Sequence, residues 1–238
     1  MTTEEEDEMN NPSQLIILGG GSSLKEGLDL GLWDKIKGHF VVGTNYSYKF
    51  FDSTVQVFVD SSFYNKQKIE LERLPLIIGQ CRNIKIKLPN TIKIPSNSVY
   101  SRDLKGGIHS AKLSGIYALS LAIYLLNVGE IYLLGYDLGS VSKKLDGQNR
   151  KITHWYQGQT EHRGVGKVSY YDVRDRGEKD FGCFKNEKDV KIFNVSLNSK
   201  INVFPKISYE QFFKQLDNET FNQDELRLLI KTKLHEKN

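Results

Sequence analysis

Short, continuous apolar runs recur along the chain at Leu15–Leu18, His39–Gly43, Val55–Val59, Leu76–Ile78, Ile84–Leu88, Glu130–Leu134 and Val190–Val195. Several are unbroken rather than alternating. That pattern predicts strands buried on both faces, as in a parallel sheet covered by helices. Helical periodicity separates some of them. The clearest case is SGIYALSLAIYLLNVG, with Ser114 placed to cap a helix and Gly129 placed to end it. EIYLLGYDLG follows as a central strand. Residues 139–189 differ: they are polar and glycine-rich, with clustered aromatics and histidines. A structureless connection of that length is unusual in a compact domain, so the segment reads as partly helical or as a lid over a site. After it, KIFNVSLNSKINVFPKISYEQFFKQL reads as strand, loop and short helix. NQDELRLLIKTKLHEKN then places Leu226, Leu229, Ile230 and Leu234 near one helical face.

The expected architecture is an α/β, Rossmann-like three-layer sandwich with a mostly parallel central sheet and an inserted polar lid. Residues 1–13 read as a disordered acidic lead-in, 14–217 as the Rossmann-like domain with the lid at 139–185, and 218–238 as a C-terminal helix.

Composition narrows the class. The 238 residues are 39% hydrophobic and 11% aromatic, enough for a core, and suit one domain with insertions. No apolar run reaches the length of about 18 residues that a membrane-crossing helix needs. The lead-in, MTTEEEDEMNNPS, lacks the basic and apolar regions of a secretory leader. Cys81 and Cys183 are far apart and without metal-ligand spacing, so a reducing, cytoplasmic setting is expected rather than a disulfide scaffold. A net charge of +4 permits an anionic small molecule. The lysines are scattered, and nucleic acid is not indicated. A homo-oligomer remains open.

The sharpest local signal is LIILGGGSSL. Gly19, Gly20 and Gly21 allow left-handed angles and a close approach to backbone, while Ser22 and Ser23 can cap a following helix. Strand, glycine turn and helix start together form an anion cradle. The spacing is neither GxGxxG nor a P-loop, and a plain tight turn fits the same residues. Further polar groups lie just past strand ends: Asn45 and Ser47 in VVGTNYSY, Asp60 in VFVDSSFY and Asp137 in LLGYDLG. In a parallel sheet they gather along the edge where ligands bind. Each also has a local reading as a turn former or helix cap; their convergence is what argues for a site. In KGGIHSAKLSGIYAL, Lys105, His109, Lys112, Ser114 and Gly115 flank a second helix start. A nucleotide is expected to span the two.

GGGSSLKEG, GTNYS and LSGIYALSLAIYLLNVGEIYLLGYDL resemble the Rossmann-like bacterial sialyltransferases and the related archaeal-type hydroxymethylpterin diphosphokinase-like proteins. In that group one strand ends in a G-x-G-x-S-L turn and a second ends in Asn. A helix starting Ser-Gly then precedes a strand ending Gly-x-Asp. The matching positions are Gly19, Gly21, Ser23 and Leu24, then Asn45, then Ser114 and Gly115, then Gly135 and Asp137. NVSLNSKINVFPKISYEQF is similar to the tail of the diphosphokinase-like proteins. The likeness covers residues 14–217 apart from the middle segment. The first loop of the sialyltransferases commonly reads G-N-G-P-S; here Gly20 and Ser22 replace the Asn and Pro.

The resemblance implies a nucleotide pocket and leaves the chemistry open. Sialyltransferases of this kind use a lid histidine as base and lid tyrosines on the donor phosphate, and the lid here holds His154, Tyr156, His162, Tyr170 and Tyr171. The first expectation is therefore glycosyl transfer from a nucleotide-sugar donor. Catalysis falls to His162 or His154 with Asp137, and the phosphate to tyrosines or to Arg163 and Arg174. Gly19, Gly21, Ser23, Asn45, Asp60, Ser114 and Gly115 would bind the nucleotide. In the diphosphokinase branch acidic residues hold magnesium with ATP. The alternative there is Asp60, Asp137 and Asp172 on the metal, with Lys112 or Arg163 on the phosphates. A non-catalytic nucleotide-binding or structural protein keeping the same fold is the third reading.

Overall fold

The computed structural model describes residues 12–79, 86–97, 107–111, 113–138, 141–145, 148–152, 154–156 and 179–236. Residues 1–11 of the acidic lead-in, and Cys81, Lys105, Lys112, His162, Arg163, Tyr170, Tyr171, Asp172 and Arg174, lie outside them. In chain order the strands are β1 (Gln14–Leu18), β2 (Val41–Thr44), β3 (Val55–Phe58), β4 (Ile77–Gly79), β5 (Thr91–Ile92), β6 (Ser96–Asn97), β7 (Ile108–His109), β8 (Glu130–Leu134), β9 (Val141–Leu145), β10 (Gln148–Ile152) and β11 (Lys191–Val195). The helices are α1 (Leu24–Asp29), α2 (Leu32–Ile36), α3 (Ser61–Leu71), α4 (Ser114–Leu121), α5 (Tyr209–Gln215) and α6 (Gln223–Glu236).

Among the described residues, a 7-stranded sheet runs in the order β11-β8-β1-β2-β3-β4-β5. Every neighbouring pair in it is parallel. The unbroken apolar runs are explained by β1. Leu15 and Ile17 point into one core with α4 and α6. Ile16 and Leu18 point into another with Leu24, Leu32, Ile36, Tyr209 and Phe212, that is, with α1, α2 and α5. Phe58 and Ile77 extend the second face onto α3 through Phe63, Tyr64 and Leu71. Both faces of the pleat are covered, so the protein is an α/β, Rossmann-like three-layer sandwich.

The structure departs from the expected elements at four places. The run 84–88 does not supply a strand in its described part, residues 86–88; the next strand is β5. Pro89 and Asn90 turn the chain there, and the Ile77 amide bonds the Asn90 carbonyl at 2.9 Å, while Ile86 and Leu88 pack under α3. Ser114 opens α4 but does not cap it. Leu113 holds the N-cap position, and no side chain caps the helix. The helix tail, Ala122–Leu126, is a π turn, and it ends at Asn127 (φ 54), two residues before Gly129. Asparagine tolerates that left-handed angle better than most residues. Finally, the polar segment after β8 contains an antiparallel hairpin, β9 with β10, pairing Val141 with Ile152. Its helical part is confined, among the described residues, to 179–181 and a 3₁₀ turn at Gly182–Phe184.

Among the described residues no helix is long and apolar enough to cross a membrane. Cys183 bonds the Asp180 carbonyl at 2.8 Å through Sγ, and burial pushes its thiol up to about 12.

Helix α6 buries Leu226, Ile230 and Leu234, as the sequence pattern predicts, and half-buries Leu229. A polar clamp fixes it to the amino-terminal ends of β2 and β3. Arg227, 8% exposed, donates from Nε to the Thr54 carbonyl (3.1 Å) and from Nη2 to the Ser53 carbonyl (3.3 Å). Gln223 accepts from Thr54 Oγ1 at 2.6 Å and donates to the Gly38 carbonyl at 3.1 Å. Arg227→Ala leaves two buried carbonyls without donors and should lower the unfolding free energy by about 2–4 kcal/mol. Leu228→Ala, at a site 63% exposed on the same helix, should change it by less than about 0.5 kcal/mol. Urea unfolding of the two variants, read at constant m-value, checks the contrast.

Candidate functional site

The strand order reverses at β1: the chain runs outward through β2 to β5 on one side, then returns to place β8 and β11 on the other. In open α/β sheets the crevice beyond the carboxyl ends at such a switch point is the usual ligand site. Gly19–Ser23 leave β1 there, and Gly135–Asp137 leave β8 beside them.

The two loops are laced together. The Gly19 amide donates to the Leu134 carbonyl and the Gly21 amide to the Gly135 carbonyl, each at 2.7 Å. Asp137, 6% exposed, accepts from the Ser23 amide at 2.7 Å, from Ser22 Oγ at 3.3 Å and from Ser23 Oγ in a short hydrogen bond. A Cβ on residue 21 would lie 2.5 Å from the Asp137 Oδ2 atom, so glycine is what lets the carboxylate approach. The anion in the expected cradle is therefore the protein's own. Gly19, Gly21 and Ser23, expected to receive a nucleotide through their amides, already donate those amides within the protein. The amides of Gly20 and Ser22 make no hydrogen bond among the described residues and remain the open donors of the turn.

A buried network holds Asp137 in place from behind. Ser199 Oγ donates to the Tyr136 carbonyl at 2.7 Å and accepts from Asn194 Nδ2 (2.9 Å) and the Ile201 amide (3.0 Å). Its one donor and two lone pairs are all in use. The Lys200 amide bonds the Asp137 carbonyl at 2.7 Å. Tyr209 of α5 packs its ring against Gly27, and its buried hydroxyl finds no well-formed hydrogen bond among the described residues. Burial, with the carboxylates of Asp137 and Glu26, raises that hydroxyl's pKa well above the ordinary value, against a smaller pull from Ser23.

Over the glycine turn lies the tripeptide His154–Trp155–Tyr156. The Trp155 amide donates to the Gly20 carbonyl at 2.9 Å. A Cβ on residue 20 would meet His154 Cδ2 at 2.5 Å and the Tyr156 hydroxyl at 2.9 Å. The missing side chain at Gly20 thus makes room for the histidine. Burial, then Tyr46, pushes the Tyr156 hydroxyl's pKa up, so it stays a neutral donor. Trp155 packs against Phe50 with the rings tilted at 59° and centroids 4.5 Å apart, which fastens the tripeptide to the turn after β2.

A second cluster sits one strand away. Asn45, at φ 50, accepts from Ser114 Oγ at 2.9 Å through Oδ1, and Ser114 Oγ accepts from the Val59 amide at 3.3 Å. Asn45 Nδ2 makes no hydrogen bond among the described residues. Gln56 Nε2 holds the Asn45 carbonyl at 2.8 Å, and Ser47 donates to Gln56 Oε1 at 3.3 Å. Tyr136 donates to the Gly115 carbonyl at 3.2 Å, so the start of α4 is tied to the β8 loop as well. Thr44 Oγ1 bonds the Leu18 carbonyl at 2.8 Å, joining the ends of β1 and β2.

The structure thus brings Asn45 to Ser114 and brings Asp137 and His154 to the glycine turn. Asp60 is exposed and caps α3, its Oδ1 accepting from the amides of Ser62 (2.6 Å) and Phe63 (3.1 Å). His109 is buried in the small β6–β7 sheet, 6.2 Å from the Phe184 ring. Among the described residues no group of three or more His, Cys, Asp or Glu is gathered for a metal. Asp60 and Asp137 each accept backbone amides, at the starts of α3 and α1. Sequence reasoning missed Asn194, Ser199 and Tyr209. The signals were an asparagine inside the apolar run KIFNV and a tyrosine directly after the capping-box serine Ser208.

No protein-family model matches the chain, and no curated protein matches it. A solved structure from the structure-guided engineering of a reductase, made to attenuate substrate inhibition in asymmetric catalysis, aligns with 77% of this chain at 14% identity and a TM-score of 0.28. The chain spans 57% of that protein's length, and a likeness of this size carries no argument. The Rossmann-like architecture stands on the strand order and is common among nucleotide-binding enzymes.

Asp137→Ala strands the Ser23 amide and should cost about 1–3 kcal/mol in urea unfolding. Hydrogen exchange at Gly21 and Ser23 should accelerate in the variant while the amides of β2 and β3 keep their protection.

Proposed function

We propose that the chain is a nucleotide-dependent transferase that moves a glycosyl group from a nucleotide-sugar donor to an acceptor hydroxyl, and that it is related to the Rossmann-like bacterial sialyltransferases whose motifs it resembles. The observation that carries this reading is His154 lying on Gly20 at the switch point, beside the two open amides of the glycine turn. An imidazole there accepts the proton of the acceptor hydroxyl as the new carbon–oxygen bond forms. The sugar carbon's bond to the phosphate oxygen breaks, and the nucleotide leaves with the electron pair. The amides of Gly20 and Ser22 are the donors for that phosphate. Asn45 Nδ2 is a donor for the nucleoside part. Asp137 is a positioning residue, because it holds Ser22 and Ser23 and through them the shape of the turn.

The alternative, diphosphoryl transfer from magnesium-ATP, finds less support. The two carboxylates it needs act as caps, Asp60 on α3 and Asp137 on the start of α1.

A thermal-shift panel of nucleoside mono- and diphosphates and nucleotide sugars, with and without magnesium, tests the reading. A cytidine nucleotide at a thousand times its Kd should stabilise the protein by about 4 kcal/mol without metal. Stabilisation confined to ATP with magnesium would reverse the preference. With a donor in hand, His154→Ala should lower turnover by about 10²–10⁴-fold while leaving nucleotide affinity nearly intact. Full turnover in this variant removes His154 as the base.

A further inference from the structure

The side-chain amide of Asn45 has a set polarity, and its source is Ser114. Ser114 is 6% exposed, and its Oγ accepts from the Val59 amide at 3.3 Å. A serine hydroxyl also has a proton to place. Among the described residues the acceptor in reach is Asn45 Oδ1 at 2.9 Å. With the amide turned over, Nδ2 would face Ser114 Oγ as a second donor, and the hydroxyl proton would be stranded in a buried place. That loss disfavours the turned form about tenfold. The main chain is held as firmly. Asn45 sits at φ 50, and Gln56, 3% exposed, donates from Nε2 to its carbonyl at 2.8 Å. Gln56 Oε1 in turn accepts from Ser47 Oγ at 3.3 Å. Asn45 itself is half-buried, and its unbonded Nδ2 reaches the surface. What the residue offers a ligand is therefore N–H donors and no acceptor.

We propose that Ser114 is a positioning residue that sets this polarity, and that the crevice in consequence selects a nucleobase by an acceptor atom beside Asn45 and discriminates against one that presents N–H there. The inference rests on the nucleotide-binding reading above. In doubly wound sheets the phosphate lies on the turn after the first strand and the nucleoside extends toward the next one. Strand β2 adjoins β1, so Asn45, at the end of β2, stands on the nucleoside side. Phosphate oxygens only accept, and ribose hydroxyls rotate to suit either partner. The base alone has an edge whose donors and acceptors are fixed, so it is the part that a donor of set polarity can tell apart. Cytosine presents a bare ring nitrogen on that edge where uracil presents N–H.

Cytidine and uridine monophosphate, which differ only at that ring nitrogen and the exocyclic group next to it, are titrated into the full chain by calorimetry. The cytidine nucleotide should bind about tenfold more tightly, by one hydrogen bond. In Ser114→Ala the amide is released to turn. The uridine nucleotide should then bind more tightly than it does to the wild-type chain, and the ratio should fall to near one. Loss of a merely structural group would weaken both nucleotides and leave the ratio as it was. Ser114→Thr, which keeps the hydroxyl, should keep the preference. Asn45→Asp tolerates the left-handed angle and presents an acceptor, so it should reverse the preference while its charge weakens both. Equal affinities in the wild-type chain, an unchanged ratio in Ser114→Ala, or a cytidine preference kept in Asn45→Asp would each overturn the proposal and leave the transferase reading standing. Binding of neither nucleotide would remove both.

Discussion

The carboxylate of Asp137 is the constraint on which the site's other features depend. It carries the charge that a helix start attracts, and it reaches that position from the neighbouring strand rather than from a ligand. Once it is there, residue 21 has to be glycine, Ser22 and Ser23 have to turn inward, and the loop after β8 has to be held rigid. The Asn194–Ser199 network does the last of these by satisfying the Tyr136 carbonyl and fixing the backbone on either side. The form of the turn is set by these bonds, and of its amides those of Gly20 and Ser22 make no hydrogen bond among the described residues.

Around this pair the site draws on groups far apart in sequence. The start of α4 is bonded both to the β2 end, through Ser114 and Asn45, and to the β8 loop, through Gly115 and Tyr136. Aromatic packing does the corresponding work for the tripeptide at 154–156. Trp155 lies against Phe50, and Trp33 of α2 stands 6.0 Å from it. Covering a polar turn with rings packed on α2 and on the turn after β2 places His154.

Much of the sheet was legible because burial on both faces leaves an unbroken apolar trace, as in LIIL and EIYLL. The same logic misled at 84–88: Ile86 and Leu88 are apolar because they fill the α3 core, and an apolar pair in coil looks like half a strand. Asn45 and Ser114 were legible as groups at the carboxyl edge of the sheet because both fall at predicted element ends. That they bond each other through Oγ and Oδ1 was not, since pairing across 69 residues leaves no local pattern. Asp137 was singled out for the right place, but its partner was sought in a ligand. Nothing in LLGYDLG says that the anion cradle 114 residues earlier is to be filled by its own chain. The hairpin of β9 and β10 escaped notice because VSKKLDGQNRKI is too polar to show an apolar face in the sequence.

The separation between cradle and carboxylate bears on how the chain is made. During synthesis β1 to β4 emerge first and are neighbours in the sheet, so they can pair early, whereas β8 arrives late and inserts beside β1. Parallel pairings over such distances are slow to form. The order of synthesis therefore leaves the turn after β1 without its carboxylate partner until the sheet is extended past β1.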